Sequence, residues 1–306
     1  MTLWRITTPL LGILIGLFSY VSHATTSNWR FDAEYGIEDD SNVVIDDTDQ
    51  NANADNLAQK LKLGVGYKHK SQDKVTETSI NYSYLNTNYQ DLSQYDSQLQ
   101  LLSGKFQRKI DKVKLGINAQ WIDANLDGQS FLKVKQLTPN LSYFFNKTNY
   151  IYSSVTFGRK TFAQDPDRNA DQQALSANYY RLFNGLNHYI TLSAKYKTED
   201  ADWDLYSYNQ NELKVKYNYR QNWFELPHKL SVSYRFQKRD YDELWHPQID
   251  DFRADERHQW QAKWRIDWTE QFFSELALTR NIHNSNVSFA DYTQNKIALN
   301  FGLNIR

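Results

Sequence analysis

From Trp29 to the carboxyl terminus, apolar and polar side chains alternate one by one, and few folds tolerate that pattern over so much chain. Trp29, Phe31, Ala33, Tyr35 and Ile37 are separated by Arg30, Asp32, Glu34 and Gly36. In an extended strand this spacing puts the apolar groups on one face and the polar groups on the other, whereas a helix would scatter them around its axis. The pattern recurs at Leu61, Leu63, Val65 and Tyr67, from Val113 to Trp121, from Leu213 to Tyr219, from Trp260 to Trp268 and from Ile297 to Ile305. About fourteen such runs can be counted, near residues 28–37, 57–68, 75–86, 95–108, 113–123, 131–145, 150–162, 171–182, 188–199, 208–220, 229–239, 257–268, 272–281 and 293–306. Leu101-Leu102 breaks the phase of the fourth run, and Pro139 interrupts the sixth, where a residue without an N–H marks an edge or a bulge.

The connections between runs fall into two classes. Those after odd-numbered runs are longer and polar, about 38–56, 87–94, 124–130, 163–170, 200–207, 240–256 and 282–292. Those after even-numbered runs are tight: His69 to Lys74, Lys109 to Lys112, Asn146 to Asn149, Phe183 to Asn187 and Thr269 to Gln271, with Gln221 to His228 the one longer exception. Strict alternation of long and short describes an up-and-down meander with its long loops at one end. A soluble sandwich has no cause to sort its loops in this way.

Ahead of the runs, Met1 to Ala24 carries one charge, Arg5, then an apolar stretch from about Pro9 to Val21 and the small-residue site Ser22-His23-Ala24. That order is the secretory pattern, so residues 1–24 are expected to be a cleaved signal peptide and 25–306 a single exported domain. The chain contains no cysteine, which excludes a lipoprotein anchor, disulfides, thiolate metal sites and a cysteine nucleophile. Aromatics make up 15% of the chain although its mean hydropathy is −0.74, and no apolar run beyond the signal segment is long enough for a spanning helix. A formal net charge of −1 gives no reason to expect a nucleic-acid partner.

Export, an even strand number, roughly ten-residue alternating segments and sorted loops define an all-β fold, a transmembrane up-and-down antiparallel β-barrel of about 14 strands in the bacterial outer membrane. A closed sheet pairs its own backbone groups and has no edge, so it can cross lipid. Outer-membrane lipid, lipopolysaccharide and the barrel assembly machinery follow as partners. The aromatic surplus then has a place, because Tyr and Trp favour the membrane boundary; Trp29, Tyr67, Tyr84, Trp121, Tyr143, Tyr196, Tyr219, Trp260 and Trp268 are the expected girdles.

Function is expected on the other phase, which faces the lumen. It carries Arg30, Lys60, Lys62, Lys114, Lys195, Lys197, Lys214, Lys216, Arg235, Lys263, Arg265 and Lys296 against the acids Asp32, Glu34, Glu77, Glu212, Asp267 and Glu275. Such an excess favours anions, as charged rings do in pores. The expected function is therefore a transport or export conduit for anionic solute or acidic polysaccharide, with these twelve bases as pore-lining candidates. An accessory export barrel of little conductance and a structural or adhesive barrel are the alternatives.

Catalysis is not expected. His188 and His258 have no local motif tying them to a serine, and the acidic stretch with Asp240, Asp242, Glu243, His246, Asp250, Asp251, Asp255 and Glu256 supplies residue types without spacing. Asp39, Asp40, Asp46, Asp47, Asp49 and Asp55 are hard oxygen ligands in the first long loop, but without the spacing of a dedicated calcium loop, so no metal or cofactor is assigned.

Several short polar elements carry a resemblance. Arg253-Ala254-Asp255-Glu256, Asn284-Ser285-Asn286-Val287 and Asp291-Tyr292-Thr293-Gln294-Asn295-Lys296, followed by the closing strand, resemble the carboxyl-terminal barrel of the surface lipoprotein assembly modifier family. Asp167-Arg168-Asn169-Ala170 and Ser207-Tyr208-Asn209-Gln210-Asn211 fit the same pattern. The stretch Glu38-Asp39-Asp40-Ser41-Asn42-Val43 also resembles barrels linked to exopolysaccharide export. The resemblance implies an outer-membrane barrel serving surface lipoprotein or polysaccharide export with a periplasmic partner. The helical-repeat domain that precedes the barrel in lipoprotein-moving members is not expected, since the signal segment runs straight into the first strand. The chain also ends Gly302-Leu303-Asn304-Ile305-Arg306 rather than on an aromatic residue.

Overall fold

A β-strand leaves half of its backbone groups unpaired on each side, and in this chain every long strand finds a neighbour on both. The computed structural model describes residues 28–45, 48, 50–244 and 251–306; the expected signal segment lies outside them. The chain begins with β1 (Trp29–Asp40), a small hairpin of β2 (Val44–Ile45) and β3 (Gln50–Asn51), then β4 (Asn56–Lys70), β5 (Thr76–Tyr89), β6 (Ser97–Ile110) and β7 (Val113–Leu126). It continues through β8 (Gln129–Asn146), β9 (Asn149–Phe162), β10 (Ala170–Leu182), β11 (His188–Ala201) and β12 (Tyr208–Trp223). The last four strands are β13 (Leu226–Leu244), β14 (Phe252–Asp267), β15 (Phe272–Ser285) and β16 (Tyr292–Ile305). Strands β1 and β4–β16 form a closed fourteen-stranded barrel, each pairing antiparallel with its sequence neighbours, and β1 meets β16 from Phe31↔Ile305 to Asp40↔Lys296.

All fourteen expected runs are strands, of between 12 and 19 residues, and most extend further than their apolar alternation. This corrects two connections. The stretch 124–130 is not a long loop: β7 and β8 meet in a two-residue turn, Asp127-Gly128, with φ values of 50° and 71°. The stretch from Gln221 to His228 is likewise a tight turn at Phe224-Glu225, with φ values of 50° and 65°. Positive φ at both turn residues suits the right-handed twist of a two-residue hairpin.

Neither irregularity in the pattern marks an edge. Leu101 and Leu102 occupy successive positions of β6, one facing in and one out. Pro139 sits mid-strand in β8, where its missing N–H interrupts the ladder to β9 between Leu137↔Phe157 and Asn140↔Ser154. The hydroxyls of Thr138 and Thr156, 3.1 Å apart, bridge the gap.

The outward face is apolar: Ile80, Leu175, Leu213, Val232 and Ile297 are each more than half exposed. A continuous band of this kind is the lipid-facing surface of a spanning barrel. The nine expected girdle aromatics all lie on this face, at two levels. Trp29, Tyr67, Tyr143, Tyr219 and Trp268 lie at the end with the short turns; Tyr84, Trp121, Tyr196 and Trp260 lie further along their strands. Trp260 and Trp268 are eight residues apart, about 26 Å along a strand, or about 20 Å of height at a 40° tilt. Beyond the upper level the outward face becomes a charged collar, with Arg159 pairing to Asp202 at 2.8 Å and Asp171 at 3.3 Å, and Lys133 approaching Asp123 at 3.9 Å.

The closing strand needs a glycine. The Phe273 ring packs against Gly302, so that a Cβ there would sit 2.3 Å from the ring and 3.1 Å from the Ala33 carbonyl, and the Arg265 guanidinium lies over the same ring, 3.5 Å from its centroid. Gly302→Ala is expected to destabilise the barrel by about 1–3 kcal/mol, measured as a lower urea midpoint by tryptophan fluorescence in liposomes. Adding Phe273→Ala should recover part of that loss.

Candidate functional site: the charged lumen

Alternation along each strand, carried through the register, fixes what faces inward. From Arg30, Asp32 and Glu34 on β1 the pairing leads to Lys60 and Lys62 on β4 and, around the ring, to Lys114 on β7, Lys195 and Lys197 on β11, and Lys214 and Lys216 on β12. It reaches Arg235 on β13, Lys263 and Arg265 on β14, and Lys296 on β16. The twelve candidate bases thus share the inward phase, together with Asp32, Glu34, Glu77, Glu212, Asp267 and Glu275.

Seven of the twelve are held by acids. Arg30 contacts Asp32 at 2.7 Å, Lys60 contacts Glu38 at 2.6 Å, Lys62 lies 4.0 Å from Glu34, and Lys197 contacts Glu199 at 2.6 Å. Lys263 contacts Glu275 at 2.9 Å, Arg265 contacts Asp267 at 2.6 Å, and Lys296 lies 3.2 Å from Asp40. Lys114, Lys195, Lys214, Lys216 and Arg235 make no ion pair among the described residues. Four of these five gather on β11–β13, where Lys214 and Arg235 are direct cross-strand partners. Like charges directly opposite each other repel, so the sheet holds this cluster by its backbone ladder.

Sequence reasoning missed several inward charges. Glu38, Asp40, Glu199 and Asp255 are buried acids near the long-loop end of the lumen, and Lys68, Lys70, Lys105, Lys160, Arg220 and Lys229 also face inward. The apolar alternation fades above the upper aromatics because the outward residues there meet no lipid, while the strand and its phase continue. Extending the phase of 28–37 by three residues would have found Glu38 and Asp40.

The short polar elements that carry the family resemblance converge at the long-loop end. Arg253 and Asp255, 1% and 0% exposed, share two hydrogen bonds of 3.0 and 2.8 Å, and Asp255 also accepts from Ser285 at 2.7 Å and lies 3.3 Å from His283 Nε2. The Asn286 amide accepts from the Ala254 N–H and donates to the Phe252 carbonyl. Gln294 donates to Asp40 at 3.0 Å and to the Asn42 carbonyl at 2.7 Å, which ties β16 to the first loop. Elsewhere a loop module repeats: 3-10 turns at Ser93–Tyr95, Pro166–Arg168 and Asp204–Tyr206 are each followed by a side chain that accepts from the N–H ending or nearly ending the preceding strand. The pairs are Asp96 with Tyr89 (2.7 Å), Asn169 with Phe162 (2.7 Å) and Ser207 with Ala201 (2.9 Å). These elements therefore build the loops and their anchors.

The histidines weighed for chemistry face outward. His258 Nδ1 meets the Tyr234 hydroxyl at 2.8 Å, and His188 Nε2 meets that of Tyr217 at 2.9 Å, so both are built into aromatic contacts. In the acidic stretch, Asp240 pairs with Lys238 at 3.0 Å and Asp255 belongs to the arginine network; His246 and Asp250 lie outside the described residues, as do Asp46, Asp47 and Asp49 of the first loop.

No family model matches the chain, and no curated protein matches it. Solved structures do. OmpT of Vibrio cholerae lacking its loop L8, an outer-membrane protein, superposes with a TM-score of 0.51 at 6% identity, over 90% of this chain and 99% of that one. OccK2 (OpdF) of Pseudomonas aeruginosa in complex with glucuronate gives 0.45 at 8% identity, over 91% and 96% of the two chains. CdiB from Acinetobacter baumannii gives 0.47 at 10%, over 91% of this chain and 61% of that one. The likeness is one of fold: the chain has the architecture of outer-membrane β-barrels.

Removing one partner of a buried ion pair strands the other. Arg253→Met is expected to destabilise the barrel by about 3–5 kcal/mol, and Arg253→Met with Asp255→Leu by much less. Urea midpoints of the two variants, with protease cleavage of the 286–291 loop as a local readout, test this.

Proposed function

We propose that the chain is an outer-membrane channel that conducts anionic solutes, acidic saccharides among them. The observation that carries the reading is the group of four inward cations without ion pairs, Lys195, Lys214, Lys216 and Arg235, on three adjacent strands midway along the lumen. A bound anion would relieve their mutual repulsion, and the other inward bases, which outnumber the inward acids, extend the attraction along the barrel. The buried acids at the long-loop end are held by bases such as Arg253, Lys60 and Lys296, so their charge is locally neutralised. Lipopolysaccharide around the charged collar, insertion by the barrel assembly machinery and secretion through a cleaved signal peptide belong to the same proposal.

A second reading, an accessory barrel for surface lipoprotein or polysaccharide export working with a periplasmic partner, is favoured by the family-like elements meeting at the long-loop end. There Val43, Val287 and Ala290 are buried where the first and last loops approach each other, and Asn51 donates to the Phe289 carbonyl at 2.8 Å.

Planar-bilayer recordings across a potassium chloride gradient distinguish the two. The channel reading expects a reversal potential on the chloride side, moved toward potassium by Lys214→Glu with Arg235→Glu. Potassium preference in the unmodified protein would overturn it, and a folded barrel without conductance would favour the accessory reading.

A further inference from the structure

The lumen is not lined uniformly. Half a ring away from the unpaired cations, the inward phase of β5–β8 turns apolar, with Leu85, Leu99, Leu101, Ile122 and Val134 in consecutive cross-strand positions. Leu85↔Leu99, Leu101↔Ile122 and Ile122↔Val134 are direct partners, and the patch is flanked by Lys62 on β4 and Lys160 on β9. Toward the long-loop end it runs into the packed cluster of Leu132, Val134 and Phe162. A β-bulge in β8 leaves Phe131 without a partner on β7 and brings its ring against Phe162, 5.7 Å between centroids. Bulges re-aim side chains in this way. Leu85, Leu101 and Ile122 are only half-buried, so part of their surface stays open to the lumen.

In the order of the closed sheet, β5 and β6 lie seven strands from β12 and β13, directly across a ring of fourteen. Leu85, Leu101, Ile122, Lys214 and Arg235 also stand at the same step, each nine residues from the short-turn end of its strand. An apolar surface in an aqueous lumen is unfavourable in proportion to its wetted area, and a cluster of unpaired cations is unfavourable for its own reason. One ligand relieves both.

Resting on the anion-channel reading, we propose that the mid-lumen is a binding site for an amphipathic anion: an aromatic or alkyl carboxylate, sulfonate or phosphate. Its apolar body lies on the wall of Leu85, Leu101 and Ile122, and its charged group is received by Lys214 and Arg235. A simple inorganic anion would satisfy only the second half of this site, and an apolar cation only the first.

The test is calorimetric titration of the purified full chain in non-ionic detergent, corrected for titration into empty micelles, with naphthalene-1-sulfonate, sulfate and 1-naphthylmethylammonium as probes. Naphthalene-1-sulfonate is expected to bind at least tenfold more tightly than either of the others. Leu101→Asn and Ile122→Asn, on different strands so that one failing to fold leaves the other, should each weaken it by about five- to tenfold while leaving the chloride preference of the channel unchanged. Lys214→Gln with Arg235→Gln should weaken the sulfonate and sulfate alike. Equal affinity for sulfonate and sulfate, or no effect of either asparagine variant, would overturn the site and leave the anion channel standing. A potassium-selective lumen that still prefers the sulfonate would overturn the channel and support the site.

Discussion

Everything in this molecule depends on the pairing of β1 with β16. Thirteen of the fourteen ladders join barrel strands that are consecutive along the chain, with only the β2–β3 hairpin intervening between β1 and β4, so turn geometry and local pattern favour them. The fourteenth joins the ends of the barrel domain and removes the only two edges the sheet would otherwise have. In hydrocarbon each orphaned backbone group costs several kcal/mol, so an open sheet of this sequence could not remain in lipid. The crowding at this seam follows from the same requirement: Gly302 leaves room for the Phe273 ring against β16, and Gln294 and Lys296 reach from β16 to Asp40 on β1.

Once the ring is closed, the two faces of each strand are free to answer to different solvents, and the inner face shows how unequal its wall has become. The sector from β14 through β16 to β4 is rich in matched ion pairs, the sector β11–β13 carries more cations than its acids Glu199 and Glu212 match, and the sector β5–β8 carries little charge midway along the lumen. Matched pairs stabilise locally and present a small net field, whereas the unmatched sector keeps its field available to whatever enters. Stability and selectivity are therefore assigned to different parts of one circumference.

The sequence revealed most where lipid imposes its demands. Within the apolar band, Trp260, Ala262, Trp264 and Ile266 had to alternate with polar residues, and strand, phase and inward side all followed from that. Outside the band the demand disappears: Asn125 and Leu126 on β7 and Gln129 and Ser130 on β8 still pair, but nothing in their polarity distinguishes strand from loop, so an Asp-Gly turn read as a longer connection. The twelve candidate bases were legible because phase alone places them. Their partners were not, since whether Lys197 meets an acid depends on Glu199 two residues along its own strand, and whether Lys214 does depends on what β13 places opposite it. The short polar elements were legible as motifs but not as roles, because side chains such as Asn169 and Ser207 hold loops to strand ends.

The charged collar above the upper aromatics has a kinetic meaning. Each hairpin that enters the membrane from the side of the short turns must carry its far end through the hydrocarbon first. Arg159, Lys133 and their carboxylate partners are part of that cargo, and a lipid-facing cation at the bilayer midplane costs about 2–4 kcal/mol. The same charges that slow entry resist withdrawal once they have reached water on the far side. The collar thus acts as a barb, and the inserted barrel is held by the height of a barrier as well as by the depth of a well.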